Sequence, residues 1–491
     1  MPVLAAAPWG APFVWEPASY SLADCKVVTA RTSLEAVVDC FKAERALVVV
    51  ADSLATVPER DCKAAGGPID LESIGSYSEL VNAVRAGVEA WIRSCSGGRH
   101  LPSMLDEGKL SVEVVPGLGT YGGWRFGPQG TQAKRPSPIE SYGGEVLLLL
   151  LDSLLEVRPE KLVVDLTHGV NYMPVAFYEA SRLAALAYSA SQNKAIELVY
   201  TNSEPYPKSG AGPREPAISI HMVGREVIEP DRAAEEIALL LKHHASSLKG
   251  EARAKPLRLA PGYMEPDLGI KIRVVEEEIT PMLRAGIAAT HITLYSMPLA
   301  ALYLAASILK DGPGRLQVLV EKLASTRRLR DEETRIDSTE KKIVPSILYS
   351  MRDIVLLAFS AALQDYLGRV VGEIPERHQL EEEGAPLTKL EEIAERLSPT
   401  YRPIALNELD KMAKNCLNPR GECPLPLLLY RWPNEKCDQR AVSSMDPRNL
   451  RAHAGLERNI TEAKIGCSDL YLRYRKGCWD KLYEQLSKPS F

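Results

Sequence analysis

Residues Lys161 to Tyr178 read KLVVDLTHGVNYMPVAFY. Leu162-Val163-Val164 is a short, β-branched apolar run, which predicts a buried strand of a parallel sheet. Asp165, Thr167, His168, Gly169 and Asn171 follow within seven positions. A helical pattern then runs from about Pro174 through Phe177, Leu183 and Leu186. The polar group is therefore expected at the carboxyl end of a strand and the amino end of a helix, where open α/β sheets hold ligands. Free N–H groups and the positive end of the helix dipole would suit a phosphate there. The same residue types also cap helices and close turns, so Asp165, Thr167 and Asn171 alone leave both readings open.

Working outward, further strands are expected at Val3–Ala7, Ala46–Ala51, Ser111–Val115, Ile196–Tyr200 and Ala217–His221. Helical patterns lie between them, clearest at Ile139–Val157 and Pro174–Ala190. This alternation predicts a mostly parallel, doubly wound sheet. Its strand ends share a theme: Trp9-Gly10, Asp52-Ser53, Gly117 to Tyr121, Asp165 to Tyr172, and Thr201-Asn202. Parallel strands bring such ends to one edge, so these loops are expected to line one crevice. The candidate ligand contacts are Trp9, Gly10, Ser53, Gly119, Asp165, Thr167, His168, Gly169, Asn171, Tyr172, Thr201 and Asn202. Trp9 suits a core position as well as a stacking one. No G-x-G-x-x-G follows the first strand, which disfavours an ordinary dinucleotide dehydrogenase.

The stretch DLTHGVNYMP closely resembles the strand–DLTHG–helix signature of CARF domains, the Rossmann-like sensors of CRISPR-associated ribonucleases. The resemblance covers roughly residues 1–225 and implies a site for a cyclic oligoadenylate.

With 491 residues, the chain is long enough for two or three domains. Hydrophobic residues make up 45% and charged residues 25%, ordinary for a soluble globular protein. A net charge of −5 argues against wholesale coating of nucleic acid while allowing a local basic site. The longest apolar run, Leu299–Ala306, is too short for a bilayer, and no secretory signal is visible. A cytoplasmic location with no membrane partner is expected. None of the nine cysteines forms a C-x-x-C pair, which disfavours a zinc ribbon. The five beyond residue 415 could include a disulfide, unusual in the cytosol outside hyperthermophiles.

Beyond Pro230 helical patterns dominate: Ala233–Leu248, Pro281–Leu309, Leu316–Leu323, Val344–Leu367 and Leu387–Leu397. Gly262 and Pro266 mark a linker near 250–275. Arg327 to Lys342 is densely charged and reads as a solvated face or loop, and Glu381-Glu382-Glu383-Gly384 as a surface loop. The expected organisation is an α/β domain over 1–225, a helical connector over 226–275 and an all-α domain over 276–491.

The chemistry of the second half centres on Ser443 to Asn459, SSMDPRNLRAHAGLERN. Asp446 followed by Pro447 is a good helix start, placing Arg448, Asn449 and His453 in the first two turns. Asn449 and His453, four apart, would share a face. Arginine can hold a phosphate through two N–H groups, and histidine can move a proton near neutral pH. Four Arg–His pairs have comparable spacing: Arg93–His100, Arg214–His221, Arg284–His291 and Arg448–His453. The first runs through glycines and the second into a strand, which leaves Arg284–His291 as runner-up. RNLRAHAG resembles the R-N-x-x-A-H active-site motif of HEPN ribonucleases. Residues 445–491 carry nine Lys or Arg against six acids, with Tyr471, Tyr474 and Trp479 interleaved. That weakly suits single-stranded RNA, but Leu470, Tyr471, Tyr474 and Trp479 read better as a packing stripe.

In this order, the two motifs resemble the CARF–HEPN ribonucleases of type III CRISPR systems. The resemblance implies a homodimer or higher oligomer that binds cyclic oligoadenylate, with cyclic tetraadenylate the expected ring. It also implies metal-independent cleavage of single-stranded RNA through the substrate's 2′-hydroxyl. His453 would handle the proton, Arg448 steady the phosphate and Asn449 orient it. No cofactor, metal or stable DNA partner is expected. A ligand-responsive regulator without ribonuclease activity, and a sensor that degrades its own ligand, are the alternatives.

Overall fold

A computed structural model of the protein describes residues 2–58, 69–127, 137–206, 215–245, 255–260, 263, 266–308, 314–416, 430–431, 447–457, 460–465 and 469–488. The amino-terminal half runs β1 (Val3–Trp9), β2 (Ala18–Leu22), β3 (Val28–Ala30), α1 (Ser33–Phe41), β4 (Arg45–Ala51), α2 (Tyr77–Cys95), α3 (His100–Asp106) and β5 (Leu110–Val115). It continues with β6 (Gly119–Tyr121), β7 (Trp124–Phe126), α4 (Pro138–Val157), β8 (Lys161–Asp165), α5 (Tyr172–Gln192), β9 (Ile196–Ser203) and β10 (Ala217–Ile228).

Eight strands form one sheet in the order β3-β2-β10-β9-β8-β1-β4-β5. The five from β9 to β5 are mutually parallel, as the alternating pattern predicts. Alternate residues along β1 face opposite layers: Leu4 and Ala6 join one core, Val3, Ala5 and Ala7 the other. The chain winds from β1 to β4 through α1 on one face and from β8 to β9 through α5 on the other. The direction of winding therefore reverses between β1 and β8, the switch point where such sheets open a crevice. The last expected strand differs: β10 runs on to Ile228, pairs antiparallel with β9, and extends the sheet to β2 and β3.

The second half runs α6 (Pro230–Ala245), β11 (Leu257–Leu259), α7 (Pro266–Leu294), α8 (Pro298–Ile308), α9 (Arg315–Glu333), β12 (Arg335–Asp337), β13 (Lys342–Val344), β14 (Ile347–Tyr349) and α10 (Met351–Val371). Then come α11 (Arg377–Glu383), β15 (Ala385–Pro386), α12 (Leu387–Arg396), α13 (Arg402–Cys416), β16 (Tyr430–Arg431), α14 (Pro447–Ala452), β17 (Thr461–Ile465), β18 (Leu470–Tyr474) and α15 (Cys478–Leu486). It is predominantly helical, with short sheets at its margins. α10 is the one described helix long and apolar enough to cross a membrane, and 89% of that window is buried within the protein. It packs against α7, where a Cβ on Gly286 would sit 2.1 Å from Ser360 Cβ, so the close helix crossing requires glycine.

Four expectations for this half are corrected. Pro281 lies inside α7 instead of starting a helix. Val344–Leu367 is not one helix, because β13 and β14 precede α10. The charged run from Arg327 continues α9 as far as Glu333, and Arg330 is wholly buried against Glu145 of α4. Charge density along the sequence does not reveal an ion pair formed across two layers. Glu381 to Glu383 end α11, a helix closed by Gly384 at φ +77°. The aromatic residues near the carboxyl end follow the packing reading: Leu470, Tyr474 and Trp479 are buried. Cys25 and Cys40 form a disulfide, and Cys95 and Cys478 are disulfide-bonded too. Asp446, the expected N-cap, lies outside the described residues, as do Arg214, Gly262, Cys423, Cys437 and Cys467.

Candidate functional site

The first site lies at the switch point. Gly10, after β1, donates its N–H to His168 O at 2.8 Å, locking the two loops together. A Cβ there would lie 2.1 Å from Val170 Cγ2, so only glycine allows this approach. Asp165 is buried and accepts from Ser33 Oγ at 2.5 Å, Thr167 Oγ1 at 2.6 Å and Thr201 Oγ1 at 3.4 Å. Burial raises its carboxyl above the ordinary range, against the pull of those hydrogen bonds. Asp165 therefore ties the turn, and Thr201 braces it from a fully buried position.

His168 stacks on Trp15 with ring centres 4.1 Å apart. Its Nε2 accepts from Ser33 N at 3.1 Å, so the ring proton sits on Nδ1. Burial pushes the imidazole down to about 3, which keeps it neutral at physiological pH. Thr167, Gly169 and Tyr172 are half-buried at the same rim, and Asn171 is exposed with φ +47° and no capping hydrogen bond from its side chain. α5 starts at Tyr172, two residues before the expected Pro174. Met173 N–H is taken by Val170 O, and Pro174 has no N–H, so the helix offers fewer donors than expected.

The neighbouring loops close on this rim. Asp52 accepts from Gly117 N at 2.6 Å and Tyr77 Oη at 2.8 Å, joining the ends of β4 and β5 beside Ser53. Burial pushes the Asp52 carboxyl up to about 7, against those bonds and the Arg330 charge. Gly119, exposed at φ +123°, begins β6 and so belongs to a hairpin with β7, not to a simple loop. Asn202 is exposed at the end of β9. Trp9 is corrected: it is fully buried in an edge-to-face cluster with Trp15 and Trp91, and supports the crevice from the core. Ser33, Trp15 and Tyr20 are contributors the sequence reading missed. They reach His168 and Asp165 from more than 130 positions away, and only the Thr32-Ser33 helix start hinted at them.

The second site lies on α14. Arg448 and Asn449 are exposed on this six-residue helix, and His453 caps its carboxyl end, not its amino end. Gly455 N donates to Leu450 O at 2.8 Å and Ala454 N to Arg451 O at 3.4 Å, with Ala454 at φ +52°. That double bond pattern is a Schellman stop, which the following Ala-Gly makes possible. His453 Nδ1 donates to Glu408 Oε2 of α13 at 3.1 Å, since a carboxylate can only accept. Lys411 holds the other oxygen, Oε1, at 2.8 Å. Burial alone would raise the Glu408 carboxyl, but Lys411 and His453 outweigh it and hold it below the usual range. In that neutral tautomer Nε2 of His453 carries no proton and can accept one. Glu408 is the second omission; 45 positions from His453, it carries no local signal.

The runner-up pair is placed differently. His291 is 2% exposed within α7, and burial, with the Arg451 and Lys242 charges, pushes it down to about 4. It is a core histidine on the packed face, while Arg284 is exposed on the same helix. Among the described residues, no group of three His, Cys, Asp or Glu side chains could hold a metal ion.

Two family models match the chain. Residues 4–205 match the CARF domain of CRISPR system endoribonuclease Csx1, and residues 398–476 match its HEPN domain. The CRISPR system endoribonuclease Csx1 of Methanocaldococcus jannaschii is 25% identical over 472 residues, covering 94% of this chain and 86% of that protein. A solved structure, Enterococcus italicus Csm6 bound to cyclic hexa-2′-fluoro-hexa-dAMP, aligns over 84% of each chain at 8% identity with a TM-score of 0.23, too low to support an inference.

Proposed function

Because the chain belongs to the CRISPR-associated CARF–HEPN ribonuclease family, we propose that it is an endoribonuclease switched on by a cyclic oligoadenylate. The sensor occupies about residues 1–225 and the catalytic domain about 276–491. The observation that carries the catalytic reading is the His453 Nδ1–Glu408 Oε2 bond of 3.1 Å, five residues along the chain from an exposed Arg448. It gives a histidine of fixed tautomer at the end of the short helix that carries a cation suited to phosphate.

In the proposed reaction, the RNA 2′-oxygen attacks the adjacent phosphorus and the 5′-oxygen leaves, forming a cyclic phosphate. One proton leaves the 2′-hydroxyl and one reaches the 5′-oxygen, and His453 Nε2 serves a proton transfer of this kind. Arg448 would neutralise charge on the non-bridging oxygens, and Asn449 would orient them. Every proposed group is a side chain, so cleavage would need no metal.

In the sensor, neutral His168, Thr167, Gly169, Asn171 and Tyr172 would meet the ligand, with Gly10, Ser53, Gly119 and Asn202 at the rim. Asp165 and Thr201 would hold that rim in shape. Val170, Val175 and Tyr178 stand 38%, 68% and 47% exposed around the same loop. Apolar exposure at these three positions suits a second copy facing the crevice, so that two copies enclose one cyclic ligand. Single-stranded RNA would be the substrate, in the cytoplasm.

His453→Ala and Arg448→Ala test this reading. Each should reduce cleavage of labelled single-stranded RNA by about 10²–10⁴-fold while activator binding persists. Glu408→Gln, which keeps the shape but removes the charge, should cost less than either. Full activity in the His453 and Arg448 variants would refute the assignment.

A further inference from the structure

α6 leaves the end of β10, the last strand of the large sheet, and carries Lys242 in its final turn. Lys242 Nζ donates to Tyr295 Oη at 2.6 Å and lies 5.2 Å from the centre of that ring. The Arg451 guanidinium carbon lies 5.1 Å from the same centre. Tyr295 is 6% exposed, just past the end of α7, with its N–H bonded to His291 O at 3.0 Å and its ring edge-to-face with Tyr401. Cations are attracted to the face of an aromatic ring, more strongly as water is excluded. The Arg451 guanidinium is thus held by the ring and the Lys242 ammonium by its hydroxyl, so one buried tyrosine joins a cation from α6 to another from α14.

Arg451 shares its helix with Arg448 and Asn449 and is two residues from His453. A helix of six residues is not self-supporting, so its orientation depends on what it packs against. α6, in contrast, is a sixteen-residue helix packed against α5, α7 and α10. Tyr295 therefore joins a firmly held helix, continuous with the sensor sheet, to a short one whose pose decides where Arg448 and His453 point.

We propose that Tyr295 is a positioning residue for the ribonuclease site: clamped between Lys242 and Arg451, it sets the orientation of the helix bearing Arg448 and transmits to it the position of the sensor's last strand. The inference rests on the catalytic reading given above. It explains why a cation at position 242, with no role at the phosphodiester, sits against a ring shared with the active-site helix.

The test is RNA cleavage at saturating cyclic tetraadenylate for Lys242→Met, Tyr295→Phe and the double variant. Lys242 is exposed, so its replacement leaves the core intact, and Tyr295→Phe removes only the hydroxyl. Each single change should lower the activated kcat by about 3- to 30-fold with KM for RNA unchanged. Lys242→Arg, which keeps a cationic donor for the Tyr295 hydroxyl, should retain most of the rate. Because both changes break one contact, the double variant should be no worse than the weaker single one. Wild-type kcat in both single variants, strictly additive losses, or an effect on melting temperature or KM alone would overturn the proposal. His453→Ala, assayed alongside, separates the two readings. Cleavage that survives in His453→Ala removes the catalytic assignment and this inference together. Cleavage lost there but untouched at 242 and 295 removes only the inference.

Discussion

His168, proposed above as a ligand contact, also has a clear structural role. Its stacking on Trp15 and its bond from Ser33 N hold a neutral ring at the crevice rim. The folded pKa of about 3 lies below the ordinary 6.5, so the unfolded chain binds more protons between those values. Stability is therefore complete above pH 6.5 and is lost as pH falls. His291, pushed down to about 4, acts in the same direction. Each histidine should contribute a slope of about 1.4 kcal/mol per pH unit below pH 6.5. Urea unfolding at pH 7, 6 and 5 should show that fall, and His168→Asn should flatten it. Identical slopes in the variant and the wild type would contradict the burial argument.

At the scale of elements, the joint between the halves is built from buried polar contacts. Arg330 of α9 pairs with Glu145 of α4, both essentially unexposed. Asp365 of α10 accepts from Ser191 of α5 at 2.7 Å and also caps α9 through Gly314, Arg315 and Leu316 N–H groups. Glu145→Ala would leave the buried Arg330 guanidinium with Asp331, which takes Nε and Nη2 at 2.8 and 2.6 Å, but with Nη1 uncompensated, and should cost up to about 3–5 kcal/mol, whereas Glu145→Leu with Arg330→Met should recover part of it. Chemical denaturation measures both, and a single variant as stable as wild type would show that the pair is not buried as described. These joints also mark what the sequence conceals. The strand, DLTHG turn and helix were legible because an unbroken β-branched run, a cluster of polar and glycine residues and a 3.6-residue helical pattern meet there. So were the Arg448 and His453 candidates, from local residue order. Ser33 beneath Asp165, Glu408 behind His453 and Glu145 beneath Arg330 were not, because each pairing spans 45 to 185 positions and leaves no local period. The helix end at His453 was misjudged because Ala454, not glycine, takes the left-handed position.

At the scale of the whole molecule, the two halves share one hydrophobic core. Leu162 and Val164 of the sensor strand, Phe177 of α5 and Leu283, Leu357 and Leu363 of the helical half belong to the same cluster. A second continuity runs along the β6–β7 hairpin, which pairs through β7 with β13 of the helical half. A ligand that reshapes the crevice therefore acts on a body in continuous contact with the proposed ribonuclease site, and it shifts activity if it binds the competent arrangement better. The most direct test is the initial rate of single-stranded RNA cleavage in excess chelator across a titration of cyclic tetraadenylate, for wild type and Asn171→Ala. The account predicts a low basal rate rising to a plateau in the wild type, and the same plateau reached only at higher ligand concentration in Asn171→Ala. A rate indifferent to the whole series of cyclic oligoadenylates, or abolished by the chelator and restored by magnesium or manganese, would contradict it.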